Sequence, residues 1–261
     1  WQKQAGKAMD KIFRTGVFLL FGVFCLPFFC GAQTKTVANR HTFWLAYMTS
    51  VRFSDKYSAW NDFHFVHETF GVARTGITRH LERTNITAGY AHLWLTPGGG
   101  NTSLIRNEHR PWAQVQFFMP VSGPYFLNQR FRYDARFRQK VASGETIDGY
   151  NFNHRLRFQM VLRRNFPSVF NGKAIPFVAL ADEVLLNFGK EVTHNTFDQN
   201  RASVALGLQV QKVQLQLGYM NRFAQSGPAA SYLQDHILMM WVTQSFDLRR
   251  PKADLPLPVS P

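Results

Sequence analysis

Residues 130 to 138 read RFRYDARFR, with an ionisable group at every second position. Arg130, Arg132, Asp134, Arg136 and Arg138 form one set, and Phe131, Tyr133, Ala135 and Phe137 form the other. A period of two marks an extended strand, because successive side chains of a strand point to opposite faces. The segment is therefore a strand with one guanidinium face and one apolar face. The fold has to give each face the surroundings it needs.

The same alternation recurs along the chain. In NHRLRFQMVLR, Leu156, Phe158, Met160 and Leu162 alternate with Arg155, Arg157, Gln159 and Arg163. In NRASVALGLQVQ, Val204, Leu206 and Leu208 alternate with Arg201, Ser203, Ala205 and Gly207. WAQVQFFM and VQLQLGYMNRF repeat the pattern. Strands are expected over 41–52, 56–68, 72–80, 84–95, 109–119, 125–140, 148–164, 174–189, 197–211, 213–225 and 232–247. Turn signals such as SDK, VSGP, ASGETIDG and QSGPAAS separate them. No helical period interrupts the series, so a single all-β domain is expected.

A soluble sandwich also alternates, but three features favour a membrane barrel. Many of the strands are long enough to cross a bilayer at a tilt, which takes about 9 to 11 residues. The apolar face is broad and aromatic, and the polar face is rich in Arg and Gln along its whole length. In a transmembrane antiparallel barrel the apolar face meets lipid, the polar face lines the lumen, and closure pairs every backbone group. The expected fold is a single-chain, up-and-down meander of about 10–12 strands. Eleven segments are visible, but single-chain bacterial barrels have even numbers, so ten or twelve is expected. Phe131, Tyr133, Phe137, Leu156, Phe158, Met160, Leu162, Val204, Leu206 and Leu208 should face lipid. Asp62, His64, Glu68, Arg130, Arg132, Asp134, Arg136, Arg138, Arg155, Arg157, Arg163, Glu183, Arg201 and Arg222 should face a largely filled lumen, still wet enough to tolerate Arg136→Gln.

Charge takes its meaning from this placement. The formal net charge is +14, which alone would suggest a nucleic-acid binder. Turning the arginines inward removes most of that case. Met9 opens MDKIFRTGVFLLFGVFCLPFFCGAQ, with basic Lys11 and Arg14, an apolar stretch over 15–29 and small residues before Gln33. This is the layout of a secretory signal peptide cut after Ala32. Residues 1–32 are thus expected to leave, 33–248 to form the barrel, and 249–261 to form a Pro-rich tail. The two cysteines, Cys25 and Cys30, leave with the signal, which rules out disulfides in the exported part. About +11 of charge stays with residues 33–261. Export and barrel together imply the outer membrane of a Gram-negative bacterium. The expected surroundings are outer-membrane lipid and lipopolysaccharide, with the barrel-insertion machinery as an assembly partner. A further complex partner stays unnamed, and no nucleic acid is expected.

HTFWLAYMTSVRFSDKYSAWNDFHF, VARTGITRHL, RFRYDARFR and FDQNRASVALGLQV resemble an outer-membrane barrel family known as domain of unknown function 2490. The similarity spans about residues 41 to 248. Its most specific pieces are the Trp44 strand with its SDK turn, the Arg-rich central strands, and Asp198-Gln199-Asn200-Arg201. The resemblance implies a barrel in the outer membrane and transfers no catalytic residue. The Pro-rich tail after Phe246 departs from the usual barrel ending.

Asp62, His64 and Glu68 share strand parity and raise the possibility of a rim hydrolase, with a carboxylate orienting a histidine base. No serine has matching context, so catalysis is not expected: a structural, accessory or weakly permeating barrel is the leading reading, and an outer-membrane lipid or peptide hydrolase is the alternative. The acids instead should pair with interior arginines, since an unpaired guanidinium in a filled lumen is costly. Asp62, Glu68, Asp134 and Glu183 are outnumbered by those arginines, so an anion-preferring small channel is a second alternative. Metal ligands are not expected, because the nine histidines are dispersed and no ligand spacing appears. TPGGGN lacks the Lys-Ser/Thr and helix of a phosphate-binding loop and reads as a surface loop. No cofactor is expected.

Overall fold

The computed structural model describes residues 35–96, 104–192, 195–226 and 231–249. The expected leader over 1–32, the glycine-rich stretch after Thr96 and the tail from 250 onward lie outside the described residues.

Eleven strands follow one another: β1 Thr36–Arg52, β2 Tyr57–Val66, β3 Phe70–His80, β4 Thr84–Leu95, β5 Arg106–Pro120, β6 Tyr125–Ala142, β7 Glu145–Asn165, β8 Ala174–Phe188, β9 Phe197–Val210, β10 Val213–Gln225 and β11 Ser231–Asp247. Each pairs with the next in antiparallel fashion, and β11 closes the barrel against β1. The segments expected from alternation all appear, with β1, β5 and β7 starting a few residues earlier. No helix among the described residues is long and apolar enough to cross a membrane, which says nothing about strands.

The even strand number is overturned. With eleven alternating strands the last runs in the same direction as the first, so β1 and β11 pair parallel, from Thr36↔Ser231 to Arg52↔Asp247. That register uses the open backbone groups of both terminal strands, which would otherwise be free edges.

Pairing is staggered around the wall. From Arg52 the register passes through Ser58, Thr78, Thr87, Gln114, Arg132, Arg157, Leu185, Gln199, Ala224 and Leu233, and returns to β1 at Ala38. The circuit closes fourteen residues below its start. At about 3.3 Å per residue and about 4.8 Å between strands, that stagger tilts the strands by roughly 40°. A twelve-residue strand such as β4 then rises roughly 30 Å along the axis.

Side chains fill the interior. Trp44, Val66, Ala205, Met220, Ile237 and Met239 pack as one cluster, and Val72, Ala91, Leu93 and Trp112 as another. At two places glycine makes room for an aromatic ring. A Cβ at Gly76 would fall 2.8 Å from the Ala88 carbonyl and 3.0 Å from the Trp112 ring. One at Gly207 would fall 2.0 Å from the Phe177 ring. The missing side chains are what let these two rings lie against the wall.

Candidate functional site

The interior divides into two halves. Strands β1 to β4 and β11 supply most of the aromatic and aliphatic clusters, whereas β5 to β9 carry most of the charge. Arg132 lies over the Trp112 ring at 4.3 Å and Arg201 over the Trp44 ring at 5.1 Å, joining the halves by cation–π contacts.

The charged half is a network. Glu108 accepts from Arg110 and takes both oxygens to Arg136 at 2.7 and 2.8 Å. Asp134 accepts from Arg132 at 2.7 Å, with Arg157 at 3.8 Å and Arg110 at 4.0 Å. Glu183 accepts from Arg130 at 2.6 Å, Arg157 at 2.8 Å and Arg201 at 3.2 Å. Asp198 pairs with Arg155 at 2.8 Å, Asp62 with Arg74 at 2.6 Å, and Asp235 with Arg40 and Arg222 at 2.8 and 2.5 Å. Counting Arg138 at 4.0 Å from Glu108, eleven arginines share these six carboxylates. Stacked positive charge therefore exceeds negative by five within the network. Guanidinium atoms of Arg130, Arg132, Arg136 and Arg138 remain buried without a hydrogen-bond partner.

Parity places most of the expected residues. Asp62, His64, Arg132, Asp134, Arg136, Arg155, Arg157, Glu183, Arg201 and Arg222 are buried inside the barrel. Arg130 and Arg138 are half-buried in the same network. Arg163 stacks over Phe177 at 3.6 Å and donates to Gln214 across the interior. On the outer wall Phe131, Tyr133, Phe137, Leu156, Leu162, Val204 and Leu206 are exposed, while Phe158, Met160 and Leu208 are half-buried there.

Glu68 is a correction. It sits in the three-residue connection between β2 and β3 with φ 55, exposed and near His67, so strand parity does not apply to it. The interior also holds Arg136 more tightly than expected. Arg136 is 5% exposed and bonded through two donors, so its replacement by Gln is not tolerated for free.

Six interior acids or arginines escaped the sequence reading: Arg40 and Arg74, which share the inward parity of Trp44 and Val72, and four more. Glu108 and Arg110 precede the stretch WAQVQFFM and continue its inward parity. Asp235 does the same in β11. These three were legible by extending the alternation. Asp198 was not. The register between β8 and β9 shifts at Leu185/Leu186, where Leu185 pairs with Gln199 and Leu186 with Phe197. Asp198 is the extra residue of that bulge and is turned inward against its parity, onto Arg155, Asn187 and Gln199.

His64 is hydrogen-bonded at one ring nitrogen, and its other nitrogen is buried without a hydrogen-bond partner. Nδ1 accepts from the Trp44 indole at 2.9 Å, and Nε2 faces Asp62 at 3.4 Å. The residue is 5% exposed and stands edge-on to Trp44 and Trp241, a packed position. Among the described residues no three His, Cys, Asp or Glu side chains converge in a metal-holding group.

Fold and interior together define a class: a closed, side-chain-filled β-barrel with an ion-paired core and an apolar outer wall. The chain belongs to the family described as Protein of unknown function (DUF2490), whose model matches residues 41–232. No curated protein and no solved structure matches it.

Proposed function

We propose that the protein is a membrane-spanning barrel of a Gram-negative outer membrane, acting as a structural or accessory component rather than as an enzyme. The observation that carries this reading is inverted polarity along β6. Arg132, Asp134 and Arg136 are 4, 0 and 5% exposed, whereas Phe131, Tyr133 and Phe137 are 46, 38 and 38% exposed. A soluble protein places such groups the other way round, whereas a bilayer supplies an apolar solvent for the outer wall. The tilt near 40° and rise near 30 Å suit a span of the hydrocarbon core. The connection from β4 to β5 is the longest and opens at one rim, while the eight-residue connection from β7 to β8 opens at the other.

The aromatic clusters and bonded arginines support a sealed interior. Reconstituted in a planar bilayer, the purified barrel should pass no current above the bare membrane; steady unitary conductance would overturn the sealed reading. The five-charge excess favours a second reading, an anion-preferring pore, which predicts chloride over potassium selectivity in that recording. For the localisation, the chain should sediment with outer-membrane vesicles and resist carbonate extraction. Recovery in the aqueous fraction would rule the membrane reading out.

A further inference from the structure

Nine histidines are scattered through the sequence, and six of them lie on the outer wall: His41 of β1, His67 after β2, His92 of β4, His109 of β5, His154 of β7 and His236 of β11. Their heights follow from the register circuit. It loses fourteen residues over eleven strands, so a level line climbs about 1.3 residues at each strand step. With that climb applied, the six fall within about two residues of one another, roughly 5 Å along the axis. They form one belt near the rim at which β4 passes to β5.

The belt is built from a repeated contact. The Tyr133 hydroxyl bonds His154 Nδ1 at 2.6 Å, the Tyr219 hydroxyl bonds His236 Nδ1 at 2.6 Å, and the Tyr90 hydroxyl bonds His109 Nδ1. The geometry is the same each time: the residue paired with the histidine lies two positions after the tyrosine, at Ala135, Asn221 and His92. Each tyrosine ring is thereby set in the apolar part of the wall, with its one polar atom reaching toward the rim. In the tautomer where the hydroxyl donates to Nδ1, the ring proton sits on Nε2, which in His109 lies 3.1 Å from the Tyr150 hydroxyl. His41 stacks on His236 at 5.0 Å, and the exposed Trp94 lies beside His92 at 4.8 Å.

A second ring stands toward the opposite rim, where Tyr57, Arg79, Tyr125 and Arg164 are exposed and Arg164 lies over Tyr125 at 5.6 Å. By the same register its height differs from the histidine belt by roughly 24 Å. The apolar band of a membrane barrel is about 25 Å tall and is flanked by amphipathic rings.

We propose that the histidine belt is the level at which the barrel meets the phosphate-bearing head groups of a lipid bilayer, with imidazole N–H groups donating to head-group oxygens. This rests on the membrane reading and adds to it a depth and a recognising chemistry. Tyrosine carries the contact from the apolar side and histidine finishes it on the polar side.

Depth measurement tests it. In the full chain with Cys25 and Cys30 replaced by serine, a nitroxide is placed by Ala135→Cys at belt height, Val204→Cys in mid-wall, or Ser143→Cys in the β6–β7 turn. Each protein is reconstituted in phosphatidylcholine vesicles, and collision with oxygen is compared with collision with a water-soluble nickel chelate. The expected order is Val204 in the acyl chains, Ser143 in water, and Ala135 between them at phosphate depth. If Ala135 matches either extreme while Val204 stays deep, the belt is refuted and the membrane reading stands. If Val204 is as open to the chelate as Ser143, both fail. The unaltered side chains give a second measurement through Trp94. Its fluorescence, isolated as the signal lost in Trp94→Phe, should be quenched at least two-fold more by lipid brominated near the glycerol than at mid-chain. Equal or reversed quenching refutes the belt.

Discussion

Glu183 accepts from arginines of three different strands, Arg130 of β6, Arg157 of β7 and Arg201 of β9. Its neighbour Asp182 points the other way, exposed on the outer wall and bonded by Asn200 at 2.8 Å. Adjacent carboxylates thus make opposite predictions. Glu183→Gln leaves three buried guanidinium groups short of their counter-charge and should lower stability by about 3 to 5 kcal/mol. Urea unfolding in detergent, followed by the loss of near-ultraviolet dichroism from the packed tryptophans, measures it. Asp182→Leu should leave bilayer stability unchanged or raise it, because the leucine suits an apolar solvent better than a carboxylate does. A clear loss in vesicles would count against lipid on that side of the wall.

At the scale of the element, β6 tests depth as well as parity. Phe131 lies near mid-height and Phe137 close to the histidine belt, where it packs on Phe152 with ring centroids 4.8 Å apart. Phe131→Arg should therefore cost about 2 to 4 kcal/mol in a bilayer, and Phe137→Arg only about 0 to 1 kcal/mol. Refolding titrations into vesicles read both, and equal penalties would contradict the depth assignment. The bulge between β8 and β9 acts at the same scale. One extra residue turns Asp198 inward to balance Arg155. Alternation alone cannot predict this, because a bulge reverses the parity on which alternation depends. The turns are more local: Ser143 and Gly144 both take positive φ, 52 and 83, in the two-residue connection that joins β6 to β7.

For the whole molecule, the parallel seam is the feature with the sharpest consequence. Leu45 pairs with Met240 across it. Leu45→Cys combined with Met240→Cys, again without Cys25 and Cys30, should form an intramolecular cross-link on mild oxidation and slow unfolding. A cross-link found only between chains would refute eleven-strand closure. The strands, their faces and the all-β class were already present in the sequence, because a period of two needs no partner to be recognised. Arg130 through Arg138 and Arg155 with Arg157 declared their face from spacing alone. The family membership was likewise carried by local segments from the Trp44 strand to Asp198-Gln199-Asn200-Arg201. Three things were decided only in the folded chain. The closing pair of β1 and β11 joins strands at opposite ends of the sequence. The sharing of six acids among eleven arginines depends on which side chains meet across a closed interior. The histidine belt depends on stagger, which sets one height for residues as distant in sequence as His41 and His236. Periodicity fixes which way a side chain points, because that is set by its own backbone; height and partner are set by register, which exists only between strands.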